Sequence, residues 1–112
     1  MISKTLMAAS TRPIILAILS REDDYGYSII RRVKEVSGGS IEWTDGMLYP
    51  VLQRMEMDRL ITSKWIAVDG GRPRHYYQIT DIGRKALTEE ISNWRQILDA
   101  LIHFSGPLPA RG

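Results

Sequence analysis

Arg72 and Arg74, on either side of Pro73 and just after Asp69-Gly70-Gly71, are the residues whose type and spacing bear most directly on chemistry. Guanidinium groups fork onto phosphate oxygens, and a proline between two of them limits the freedom lost on docking. A solvated loop tip could carry the same residues, so their setting decides their weight. They crown two runs that lean toward strand, TSKWIAV and RHYYQIT, with a glycine pair between them. Glycine accepts positive φ, which makes this a strong hairpin signal. From Arg59 to Lys85 six cations face only Asp69 and Asp81, an excess of four in a 112-residue chain whose net charge is +2. Phosphate is the anion this pattern suits, and each phosphate contact on duplex DNA adds about 0.9 to the salt slope of binding. Arg72 is the stronger of the two candidates. His75, next in the strand, reads as structural or phosphate-touching.

Catalytic chemistry has no comparable signal. His75 and His103 lie far apart, there is no cysteine, and Asp23-Asp24 and Glu89-Glu90 read as surface or cap pairs. No glycine-rich phosphate loop or ligand-spaced acid cluster is present, so no catalytic residue, metal ligand or cofactor is nominated. Lack of cysteine removes disulfides and thiolate sites and fits a reducing compartment, the cytoplasm. The apolar run Pro13 to Leu19 is followed by Arg21, Glu22, Asp23 and Asp24 without a cleavage pattern. It falls short of the roughly 20 residues a bilayer span requires, so no membrane partner is expected.

The elements that must hold the arginines follow from periodicity. Ile2 to Ser20 reads as a helix broken or restarted near Thr11-Arg12 because of Pro13. Asp24 is expected to cap a second helix, Tyr25 to Ser37, with Ile29, Ile30, Val33 and Val36 inward and Arg31, Arg32, Lys34 and Glu35 toward solvent. Gly38-Gly39 ends it. Ser40 to Trp43 links to a third helix, capped by Thr44 and running to about Leu60, with Leu48, Val51, Leu52, Met55 and Leu60 buried. Tyr49, Pro50, Gln53, Arg54 and Asp58 lie away from that core, and Pro50 is expected to bend the helix near its start. The hairpin comes next, with Tyr76 and Tyr77 on opposite faces so that one is core. Thr80 caps a last helix to about Phe104, in which Leu87, Ile91, Trp94, Leu98 and Leu101 form a heptad seam that wants a partner helix. Residues 105–112, with two prolines and two glycines, read as a disordered tail.

Helix, helix, helix, hairpin is the winged helix-turn-helix order, in which the third helix enters the major groove. The expected fold is mainly α (α+β), with a DNA-binding domain over 1–80, whose N-terminal helix also serves the dimer, and a C-terminal dimerisation helix over 81–104. YGYSI (Tyr25 to Ile29), DGMLYPVLQRME (Asp45 to Glu56), Leu60-Ile61, GGRPRHYYQIT (Gly70 to Thr80), Gly83-Arg84 and Trp94 together resemble the PadR family of bacterial transcriptional regulators. The ordered set, LYP, then GGRPR with a tyrosine pair, then ITxxGR, covers about Pro13 to Phe104 and is specific.

The resemblance implies a homodimeric repressor on an inverted-repeat double-stranded DNA operator, with a single C-terminal helix per chain. Thr44, Gly46, Met47, Tyr49, Pro50, Gln53 and Arg54 on the third helix then join Arg72 and Arg74 as expected DNA contacts. Tyrosine hydroxyls bind phosphate, glutamine reads adenine, and Gly46 would admit the backbone close to a phosphate. Packing of Tyr49 against the wing is the competing reading. Leu87, Ile91, Trp94, Leu98 and Leu101 form the expected dimer interface. Multidrug-sensing relatives imply a planar aromatic effector stacked between two copies of Trp94, in a pocket lined by Leu6, Ala9, Pro13, Ile91 and Leu98; otherwise Trp94 fills the dimer core. Two departures from the family pattern stand out. Arg59 replaces a common glycine, which predicts a less sharp helix end, and Leu98 occupies a position where relatives that bind cations can have an acid. The rival reading is a winged-helix module for protein or small-molecule binding without sequence-specific DNA recognition.

Overall fold

The computed structural model describes residues 2–107. Helix α1, Lys4–Arg21, starts at Ser3, whose hydroxyl accepts the Leu6 amide at 3.2 Å. It passes unbroken through Pro13, contrary to the expected break at Thr11-Arg12. One missing amide is a local loss, whereas Thr11, Ile15, Leu16 and Leu19 are buried along the same helix and hold it straight through.

Asp24 does not cap a helix. It is buried, and with Tyr25 it makes a two-residue strand, β1, antiparallel to the wing strand β3 through Asp24↔Tyr77 and Tyr25↔Tyr76. Its carboxylate accepts the Tyr25 amide at 2.9 Å and Arg32 at 2.8 Å. A buried carboxylate needs such partners, so Arg32 is drawn in from the expected solvent face. Helix α2 is therefore Gly26–Val36, entered from Tyr25 without a side-chain cap. Ile29 and Val33 are in the core, but Val36, expected inward, is 90% exposed because the helix ends there. Gly38 and Gly39, at φ 62° and 87°, turn the chain.

Helix α3, Asp45–Met57, begins at Thr44, whose Oγ1 accepts the Met47 amide at 3.3 Å. Pro50 sits inside it without interrupting it. Leu48, Leu52 and Met55 are fully buried. The helix stops before Leu60, and it stops sharply. Arg59 adopts φ 62°, the Arg59 amide donates to the Glu56 carbonyl at 3.0 Å, and the Leu60 amide donates back to the Met55 carbonyl at 3.0 Å. That is a Schellman ending, with an arginine in the place glycine usually takes. The blunt end expected from Arg59 does not occur, because the two capping bonds and the burial of Leu60 force the turn.

Strands β2, Ile61–Ile66, and β3, Arg74–Ile79, pair from Ile61↔Ile79 out to Ile66↔Arg74, giving the sheet order β1-β3-β2. Of the tyrosine pair, Tyr77 is the core residue. Helix α4, Asp81–Ser105, is tied to the hairpin at its first turn. The Thr80 hydroxyl accepts the Gly83 amide at 3.0 Å and approaches the Arg59 and Leu60 carbonyls at 2.7 and 3.0 Å. Gly83 lies so close beneath that a Cβ there would overlap the Leu60 carbonyl oxygen. Arg84 reaches the Ser20 carbonyl at 3.2 Å, joining α4 to α1. Beyond Leu87 the helix is largely uncovered. Ser105, placed in the tail by sequence, is its last residue, and the remainder of that expected tail from 108 lies outside the described residues.

Candidate functional site

Between the start of α2, the face of α3 and the wing runs a groove of about 710 Å³. Tyr49 supplies its floor. The ring lies over Gly26 with its Cζ 2.8 Å from where a glycine Cβ would stand, so only glycine at position 26 permits this approach. Tyr49 is 39% exposed, so it both packs and faces outward. Its packing is against the α2 entry as well as near Tyr77 of the wing.

The wing wall carries Arg72, Pro73, Arg74 and His75, with Trp65 beside them. Trp65 and His75 face each other across the β2–β3 register, their rings stacked at 4.4 Å and 9°, and Trp65 keeps 68% of its surface exposed. Tyr77 continues the same face inward, its hydroxyl 3.3 Å from His75 Nδ1. Burial, with the neighbouring Tyr49 and Glu56, pushes the Tyr77 phenol up to about 12. Glu56 in turn accepts from the Ser63 hydroxyl at 2.7 Å, fastening α3 to β2.

The opposite wall is the end of β1 and the first turns of α2. Tyr25, Tyr27 and Arg31 line it. The Arg74 guanidinium lies 4.5 Å from the Tyr25 ring centre, and that of Arg31 lies 5.8 Å from Tyr27, within the range of cation–π attraction. No acid lines the groove. Among the described residues Arg31, Arg72 and Arg74 make no ion pair, whereas Arg12, Arg32, Lys34 and Arg54 are all paired with carboxylates. Three unneutralised guanidiniums around one groove repel one another and favour an anionic occupant.

Of the remaining expected contacts, Gly46, Pro50 and Gln53 are exposed on the helical face that bears Tyr49, and nothing crowds Gly46. Thr44 is exposed at the cap. Arg54 is exposed but held by Asp58 at 3.3 Å. Met47 is placed differently. It is half-buried against the core and lines an apolar cleft toward α1 with Met7 and Val51. Tyr25, Tyr27, Arg31 and Trp65 were not expected at the site, although Tyr25 and Tyr27 stand in the YGYSI stretch and Tyr27 and Arg31 lie four apart on one helical face.

A second groove, about 560 Å³ and almost wholly apolar, runs between α1 and α4. Leu6, Pro13, Ile91, Trp94 and Leu98, named for an effector pocket, and Leu87 and Leu101, named for a dimer interface, all line this groove, together with Ile14 and Ile97. Ala9 does not; it is exposed elsewhere on α1, and Ser10 takes its place. Ile91, Leu98 and Leu101 remain 42%, 43% and 60% exposed, an apolar stripe of the kind that marks an interaction site. Among the described residues no helix is long and apolar enough to cross a membrane.

Residues 15–89 match the Transcriptional regulator PadR-like family. The chain is 34% identical to the Transcriptional regulator YqjI of Escherichia coli K12 over 83 residues, which is 74% of this chain and 34% of that longer protein. Its fold is similar to that of a transcriptional regulator from Clostridium thermocellum, with TM-score 0.84 and 25% identity, covering 94% of this chain and 99% of the other. A PadR family transcription regulator from Clostridium difficile R20291 aligns with TM-score 0.74 and 33% identity over 87% of this chain and 99% of the other. Family match, winged fold and cationic groove agree: the chain belongs to the PadR-like family of transcriptional regulators.

Proposed function

We propose that the protein is a cytoplasmic, homodimeric repressor that grips an inverted-repeat operator through α3 and the wing and is released by a planar aromatic effector. The observation that carries the DNA half is the groove in which Arg31, Arg72 and Arg74 stand without ion pairs around Tyr49, with no acid among the lining residues. Gly46, Pro50 and Gln53, uncovered on the same side of α3, are the groups offered to base edges and backbone. The apolar α1–α4 groove supports the other half. Two copies joined along Ile91, Trp94, Leu98 and Leu101 would bury that stripe and bring two Trp94 rings toward the symmetry axis. Two-fold symmetry then places the half-sites about one helical turn, roughly 34 Å, apart. An effector inserted between the helices would alter the spacing of the two α3 helices and weaken both half-sites together.

The test is titration of the purified protein against DNA from immediately upstream of its own gene, across a range of salt, with Arg72→Ala/Arg74→Ala in parallel. Tight binding that weakens steeply with salt, with both affinity and slope reduced in the variant, is the expected result. Binding that is flat in salt would point instead to a protein- or small-molecule-binding module.

A further inference from the structure

We propose that Tyr27 and Arg31 of α2 form a second phosphate-binding wall opposite the wing, so that one strand's backbone passes between Arg31 on one side and Arg72 and Arg74 on the other. The proposal rests on the groove being the DNA site. Adjacent arginines on α2 are treated in opposite ways. Arg32 is committed to Asp24 at 2.8 Å and Glu22 at 3.5 Å, whereas Arg31 is exposed on the groove and unpaired among the described residues. What sets Arg31 apart is its company: it shares one acid-free groove with Arg72 and Arg74, which are likewise without ion pairs, and three such cations together suit a mobile anion. Tyr27, 66% exposed, lies under the Arg31 guanidinium and limits the directions it can take. Its hydroxyl is a further donor to phosphate oxygen.

The two walls are also held at a set separation. Strand β1 hydrogen-bonds the residues just before α2 to β3, and the Tyr25 and Tyr76 rings pack at 5.2 Å across that pair. Arg31 and Arg74 are therefore carried by one sheet-linked unit, and that rigidity lowers the ordering cost of a bridging phosphate chain.

The experiment measures binding of the full chain to two labelled probes, the upstream duplex and sheared genomic DNA, as a function of salt. One phosphate lost per protomer removes about 0.9 from the slope, hence about 1.8 for a pair of protomers, and a fourfold rise in salt then weakens Arg31→Ala about 12-fold less than the wild type. Arg31→Lys should keep most of the slope, because a point charge still meets phosphate. Lys34→Ala removes the same charge from the same helix outside the groove and should leave the slope unchanged. Tyr27→Phe should retain more affinity than Tyr27→Ala. If Arg31→Ala behaves like Lys34→Ala while Arg72→Ala/Arg74→Ala lowers the slope, the second wall is wrong and the groove stands. If the arginine variants all match a salt-insensitive wild type, both readings fall.

Discussion

Replacing Arg59 by glycine should make the protein more stable, although it removes a side chain and a charge. Among the described residues Arg59 is the one non-glycine residue at positive φ, 62°. For an L-residue the left-handed region costs roughly 1–2 kcal/mol through the clash of Cβ with the following carbonyl. Glycine relieves that strain but gives the unfolded chain more freedom, an offset of roughly 0.5–1 kcal/mol. The difference is a gain of about 0.5–1 kcal/mol. Nothing in the folded state opposes it, because the Arg59 side chain is exposed and makes no ion pair among the described residues. The capping bonds it supplies, Arg59 amide to Glu56 and Arg59 carbonyl from Thr80, are backbone groups that glycine retains. In a domain of this size the gain corresponds to a rise in Tm of about 2–6 °C. Thermal unfolding followed by circular dichroism measures it, with protein concentration held fixed because self-association couples to stability. Arg59→Ala is the decisive companion. It removes the same charge and stem but keeps Cβ, so it should show no gain. An alanine variant as stabilised as the glycine variant would refute the backbone argument and place the effect in the side chain.

Two further outcomes follow from residues already described. The folded state holds the Tyr77 proton up to about 12, whereas an unfolded chain releases it near 10.0. Stability present below the lower value should fall as pH rises through that window, by on the order of 2 kcal/mol. Urea unfolding at successive alkaline pH values should show that decline in the wild type, with the Tyr77-linked part missing in Tyr77→Phe. Leu98→Asp puts a charge on the uncovered stripe of α4 without touching the protomer core. The proposed dimer should then shift toward monomer in sedimentation and DNA affinity should drop, with an unchanged circular dichroism spectrum. Sedimentation identical to the wild type would place the subunit contact elsewhere.

Local signals were legible where one residue decides the geometry. Thr44 and Thr80 both cap helices with their hydroxyls, and the segment around Gly70-Gly71 joins two antiparallel strands, the hairpin expected there. The stripe from Leu87 to Leu101 was readable because it repeats at helical spacing. Pro13 misled because its penalty is local: it loses one bond inside a helix that burial on its other faces sustains. Asp24 misled for a different reason. Before a helix an aspartate reads as a cap, and a two-residue strand leaves no period to detect, so its pairing with Tyr77 is visible only once the wing is in place. Arg31 and Arg32 are indistinguishable by composition. The fold separates them by giving one a buried acid and the other a groove.

The attachment of α4 has a mechanical consequence. The helix is pinned at its first turn by Thr80, Gly83 and Arg84, meets α1 again through Arg12–Glu90, and is mostly exposed toward its far end. Its 25 residues make an arm about 37 Å long. A sideways push of about 3 Å at the far end of such an arm corresponds to roughly 5° of rotation at the joint. Because α3, the wing and the α2 entry are fastened together by Glu56–Ser63 and by β1, that rotation turns the whole cationic head as one piece. A small displacement among apolar side chains at the far end would thereby be converted into a change of heading at the groove, with no rearrangement required inside the head.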